Sequence, residues 1–213
     1  MARTFRTIIA NPAALLALAA LAACGGGAGG GNAGGSANGA ADTPTPPAGQ
    51  LFADNFKGVC SGATVSGATA YNAQGRAHKA LFFETYKDGL ADRSTSLPDD
   101  WTVQYSTQGD AYRAVDLVVC ARRTADRQVK VCDGYKNREE QPTQNRVNWH
   151  SATYELTLRE ATTGRQLAQS TVEANDASCP MLQMFENDTE VVEGYASPSD
   201  TAVADFLRPH IAR

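Results

Sequence analysis

Cysteine carries the clearest chemistry in this chain, and its five copies fall into two groups by position. Cys24 ends an apolar N-terminal run and opens a glycine tract; Cys60, Cys120, Cys132 and Cys179 are spread over the rest. Ahead of Cys24 stand Arg3 and Arg6, then the uninterrupted apolar stretch Ala13 to Ala23, ending in small residues. That is the three-part pattern of a removed export signal. The apolar stretch is well short of the roughly 20 residues that cross a bilayer. Four further cysteines in an exported chain read as two disulfides. Val115 to Ala121 and Arg127 to Cys132 read as strands around a turn at Thr124-Ala125-Asp126. Such a hairpin sets Cys120 opposite Cys132 at about 4.5–5.5 Å, a span a disulfide bridges. Of the three possible pairings, Cys120–Cys132 with Cys60–Cys179 is therefore expected. Zinc is the alternative use of four thiolates, but the spacing offers no C-x-x-C and no paired histidines. No metal or cofactor is expected.

Leu21-Ala22-Ala23-Cys24 resembles the lipobox of bacterial lipoproteins. The resemblance covers the first 25 residues or so. It implies that Cys24 is diacylated on sulfur and becomes the mature N-terminus, which places the chain in the cell envelope with the membrane as one partner. Acyl chains contribute about 0.8 kcal/mol per buried CH₂, so several of them anchor firmly. In such lipoproteins an Asp after the cysteine favours inner-membrane retention. Gly25 stands there instead, which favours the outer membrane where an organism has one. Residues 25–50 hold ten glycines and three prolines, and the first large apolar side chains afterwards are Leu51 and Phe52. That composition cannot bury enough surface to order itself. The expected organisation is signal peptide 1–23, lipidated cysteine and tether 24–50, and one globular domain 51–213.

Other chemistry is sparse. There is no G-x-S-x-G, H-E-x-x-H or P-loop pattern. His78, His150 and His210 are isolated in sequence. Asp99-Asp100 and Glu139-Glu140 read as turn and loop carboxylates, since adjacent strand residues point apart. Arg122, Arg123 and Arg127 crowd the expected hairpin tip. Trp149, His150 and Tyr154 lie on the longest alternating segment and could form a binding face, as Trp and Tyr are common interface anchors. Without Arg3 and Arg6, 17 basic residues face 23 acidic ones, a net of −6. That balance argues against a nucleic-acid partner.

The elements that must position these residues are mostly β. Thr153 to Arg159 alternates cleanly, with Tyr154, Leu156 and Leu158 on one side. Ala161-Thr162-Thr163-Gly164 reads as a turn, and Arg165 to Val172 as the returning strand. Lys79 to Glu84 reads as a central strand, Trp101 to Tyr105 as a short one, and 134–144 as a loop. Ser197 can cap a C-terminal helix with Pro198 at its first position and Pro209 as its stop. A weaker helix is expected over 61–73. The expected fold is mainly β: an antiparallel sheet or sandwich of about six or more strands, with a C-terminal helix and two disulfides.

Several short pieces together resemble uncharacterised exported bacterial domains: Cys120, Cys132 with Tyr135, Thr163-Gly164, Cys179-Pro180 and Phe206-Leu207-Arg208-Pro209. The resemblance spans roughly 77–210. It implies an exported β-rich domain and brings no activity. The expected function is a membrane-anchored binding module with an unknown protein or small-molecule partner, and not an enzyme. The alternatives are a structural or stress-related envelope component and, third, an envelope hydrolase whose residues converge only on folding.

Overall fold

A computed structural model describes residues 49–75, 77–105, 107, 109–186 and 189–211. The signal peptide, Cys24 and nearly all of the tether lie outside them. The described residues make six strands and one α-helix: β1 Ala80–Tyr86, β2 Gly89–Asp92, β3 Leu117–Cys132, β4 Arg146–Glu160, β5 Gln166–Ala174, β6 Val191–Tyr195 and α1 Asp200–Ile211. They form one sheet in the order β2-β1-β3-β4-β5, with β6 added beside β4.

The sheet is mixed, not purely antiparallel. β1 runs parallel to β3, and β6 parallel to β4. Both parallel pairs are joined by long connections, which a parallel crossover requires. Residues 93–116 link β2 to β3, and the segment after β5 carries the chain back to β4.

β1 from Ala80 to Glu84 and β3 from Leu117 to Ala121 are buried on both faces, which is why Leu81-Phe82-Phe83 and Leu117 to Ala121 read as unbroken apolar runs. Phe82, Leu117, Val119, Tyr154, Leu156 and Leu158 form one core under Val203, Leu207 and Ile211 of α1. Leu81, Phe83, Val118 and Cys120 form the other, covered by Phe56 and Val59 from a 3₁₀ segment at Ala53–Ser61. β4 is half-covered on its second face, so it keeps the clean alternation expected of it.

Three expectations about local structure change. The chain does not turn at 124–126: β3 is one 16-residue strand paired with β4 from Leu117↔Glu160 to Cys132↔Val147. Thr124-Ala125-Asp126 holds one turn former, Asp126, without the Gly that usually follows it in a two-residue hairpin loop. Register shifts at Arg123/Ala125 and Gln128/Lys130 absorb the extra residues as bulges. Cys120 and Cys132 thus lie twelve positions apart on one extended strand, about 40 Å at 3.3 Å per residue. They cannot pair. The bridges are Cys60–Cys120 and Cys132–Cys179, each with 5.7 Å between Cα atoms. Both are bonds that persist in an oxidising, extracytoplasmic compartment.

No helix forms at 61–73; the preceding 3₁₀ segment ends at Gly62, which is left-handed at φ 88°. Trp101 to Tyr105 is no strand either, but Trp101 is buried and its carbonyl accepts from Ala80 N–H at 2.7 Å. The C-terminal helix is present and starts two residues late. Ser199 caps it through Oγ to Ala202 N–H at 3.2 Å, and Pro209 sits inside its last turn.

The β4–β5 hairpin turns at Gly164 as expected, with φ +67°. Glu160 is held there by Arg165 and by the Thr163 hydroxyl at 2.5 Å. Burial alone would raise the Glu160 carboxyl; the Arg165 and Thr163 hydrogen bonds outweigh it and hold it below its ordinary 4.5. A depressed carboxylate stabilises the fold above the unfolded value and loses that contribution as pH falls through the folded one. Glu160→Gln is therefore expected to cost about 1–2 kcal/mol at pH 7 and nearly nothing at strongly acid pH. Urea unfolding of both proteins at several pH values checks this.

Candidate interaction surface

Where the β3–β4 ladder ends, at Cys132↔Val147, the chain leaves the sheet in two excursions: residues 133–145, and residues 175–190 between β5 and β6. The Cys132–Cys179 bridge ties one to the other. Tyr135 reinforces it. Its hydroxyl donates to the Pro180 carbonyl at 3.1 Å, and its ring meets Phe185 edge-on at 5.3 Å. In the first excursion Asn137 Oδ1 accepts from Glu139 N–H at 3.0 Å and Gln141 N–H at 2.9 Å, which fixes the turn. Between the two excursions lies an open groove of about 580 Å³, walled by Tyr135, Lys136, Asn137, Glu140, Met181 and Leu182.

The second excursion presents apolar side chains to solvent. Met181 is 94% exposed, Leu182 91% and Met184 90%, the three most exposed large hydrophobic residues described. Their contiguity separates them from scattered surface apolar residues, which are ordinary. The sequence held a signal for them that periodicity does not detect. Apart from Met1, the only methionines follow Cys179-Pro180 in a stretch with neither helical nor strand pattern.

The residues expected to form a binding face do not form one: His150 and Tyr154 share a side of β4 and are linked through Arg123, but Tyr154 is buried and Trp149 lies on the other side. Tyr154 is fully buried in the helix-covered core. Burial, followed by the adjacent Glu84 carboxylate, pushes its phenol upward, so it stays a neutral donor. Trp149 and His150 are strand neighbours and point to opposite faces. The Trp149 indole donates to the Asp176 carbonyl at 2.7 Å and packs where Gly194 lacks a side chain. His150 lies over Tyr195, with Asp126 at 2.9 Å from Nδ1 and Glu193 at 2.6 Å from Nε2. Arg123 stacks on the Tyr195 ring at 3.3 Å, and Arg122 pairs with Glu155 at 2.9 Å, so neither arginine crowns a hairpin tip.

This polar cluster joins β3, β4 and β6 and works as a clamp. Both ring nitrogens of His150 are committed to carboxylates, which leaves none for a substrate proton. Those carboxylates lie on opposite sides of the ring and do not converge on one ion. Among the described residues no group of three or more His, Cys, Asp or Glu could hold a metal.

A second histidine–carboxylate pair was hidden in sequence. His78 and Asp116 precede β1 and β3, and the parallel register Ala80↔Leu117 sets them side by side. His78 Nδ1 and Asp116 Oδ2 are 2.5 Å apart and both side chains are buried. Burial pushes the Asp116 carboxyl up, against the opposing pull of His78 and the Lys79 N–H. His78 Nε2 has no hydrogen-bond partner and is sealed beneath Gly75, where an added Cβ would stand 3.0 Å from the ring. Neither this pair nor His150 borders the groove. Comparison with protein-family models, curated proteins and solved structures gave no match.

Proposed function

We propose that this chain is a lipid-anchored envelope module, outer-membrane in a two-membrane cell, that binds a partner through the Met181–Met184 loop and its groove. The observation that carries the reading is the contiguous exposure of Met181, Leu182 and Met184 beside that groove. A disulfide ties the start of the loop to β3, so its backbone there loses less entropy on binding than a free segment would. Methionine adapts its shape to varied surfaces, which suits a partner with an apolar face. The lipobox at Leu21 to Cys24 and the two disulfides support an extracytoplasmic, membrane-attached setting.

The hydrolase alternative draws on the His78–Asp116 pair, whose separation suits a base and its orienting carboxylate. It ranks lower because the free nitrogen faces Gly75 and no groove.

One expression experiment tests both halves of the proposal. Wild type takes up radiolabelled palmitate, and its loop, carrying a photocrosslinker at Gln183, yields a discrete adduct in envelope vesicles. Cys24→Ser accumulates as uncleaved precursor without label. Leu182→Asp keeps its label and thermal midpoint but loses the adduct about tenfold, as expected for one apolar anchor. Normal processing of Cys24→Ser would remove the anchor; an undiminished adduct in Leu182→Asp would remove the surface.

A further inference from the structure

Past Cys24 the chain contains two methionines, three residues apart in one loop. Methionine is a versatile core filler. Here the cores are built from Val, Leu, Phe, Ala, Tyr, Trp, Ile and Cys, and both methionines stand in solvent at 94% and 90% exposure. A solvent-facing thioether is a ready target for two-electron oxidants. The competing thiols of the folded domain are already consumed, since all four of its cysteines are in disulfides.

We propose that Met181 and Met184 form an oxidant-responsive site that turns off the apolar surface between them; this rests on the reading of that loop as the binding surface. The substrate class is a peroxide or hypochlorous acid reaching the extracytoplasmic face. With hydrogen peroxide, the O–O bond breaks and one oxygen bonds to Sδ. The sulfur is oxidised by two electrons and the second oxygen leaves as water, with no proton drawn from the protein. Each apolar thioether becomes a polar sulfoxide. Leu182 is then flanked in the chain by two strong dipoles, and the loop keeps one apolar side chain of its three exposed ones. Cys132–Cys179 and the Tyr135–Pro180 hydrogen bond hold the backbone, so polarity changes while the fold does not. A methionine sulfoxide reductase drawing two electrons from a dithiol would return each sulfoxide to the thioether, with its oxygen leaving as water.

The test uses residues 25–213, exported behind a signal without a lipobox so that no acyl chain binds the resin, with hydrogen peroxide as oxidant and octyl-agarose as the apolar probe. Peptide mapping is expected to place one added oxygen on Met181 and one on Met184. Retention on the resin falls about tenfold at an unchanged thermal midpoint, the size of losing one or two apolar side-chain contacts. The double variant Met181→Leu/Met184→Leu is retained equally with and without peroxide. Met181→Gln/Met184→Gln elutes early without treatment. Oxidised wild type retained as strongly as untreated protein would overturn the proposal, as would peroxide-sensitive retention of the leucine variant. If untreated wild type is retained no better than Leu182→Asp, the binding surface itself fails and this proposal fails with it.

Discussion

Replacing Cys60 and Cys120 together by alanine is expected to lower stability by about 4 kcal/mol, the loop-closure entropy of a bridge of this span. The bridge closes a separation of 60 residues and lies against the core under the 3₁₀ segment, with Cys120 itself buried. Its loss frees the segment carrying Phe56 and Val59 to leave the second face of the sheet. A fall of the unfolding free energy in urea titrations by that amount, with Phe56 and Val59 becoming accessible to exchange or labelling, is the expected result. The Cys132→Ala/Cys179→Ala variant removes a span of 47 residues, of similar entropic weight. Its signature differs. The sheet survives and the groove disperses, because Cys132 closes the end of the ladder while Cys179 fixes only the excursion. Equal loss of groove binding in both variants would contradict this division. Proteolysis without reductant checks the pairing directly: a linked peptide joining Cys120 to Cys132 would refute the architecture.

Gly164→Ala is expected to cost about 2–5 kcal/mol, far more than a substitution in an exposed hairpin turn. The backbone there is left-handed at φ +67°. A side chain in that region costs roughly 1–2 kcal/mol. An added Cβ would also stand 2.4 Å from the Gly62 carbonyl oxygen and 2.8 Å from that of Ala63. These are backbone atoms, which move only if the turn lifts from the end of the 3₁₀ segment. That lift would pull on the Val65 N–H to Ala161 carbonyl hydrogen bond of 2.9 Å. Overpacking of this kind adds a further 1–3 kcal/mol. Thermal denaturation measures it; a change under 1 kcal/mol would mean that the turn and the 3₁₀ segment do not press together.

Residues acting within one element were legible from sequence, and residues joined across elements were not. The alternation of Tyr154, Leu156 and Leu158 marked β4, and Gly164 marked its turn, because period and turn chemistry are local. The disulfide pairing depended on whether the chain reverses between Cys120 and Cys132. No residue at 124–126 encodes that reversal, and only β4, long enough to pair with the whole of β3, decides the question. The parallel pairings were invisible for a related reason, since they depend on connections that pass over the sheet. His78 and Asp116 meet because of one such pairing. Tyr154 was correctly placed on an alternating face, but that face is the core side. The Met181–Met184 loop went unread because exposure of apolar residues is the opposite of what hydrophobic patterning assumes.

The length of β3 has a mechanical consequence. Its inner end is covalently joined to Cys60, shortly after the N-terminal entry to the domain, and its outer end to Cys179, just before the exposed loop. A pull between an anchored N-terminus and a partner held at Met181 to Met184 therefore follows bonds throughout: from Leu51 to Cys60, across the bridge, along β3 from Cys120 to Cys132, across the second bridge and out to the loop. Residues 61–119 and 133–178 lie off that load path. The sheet's hydrogen bonds can open and reclose under tension without the domain extending; under the proposed anchoring and binding, β3 would be the tie-rod between the two.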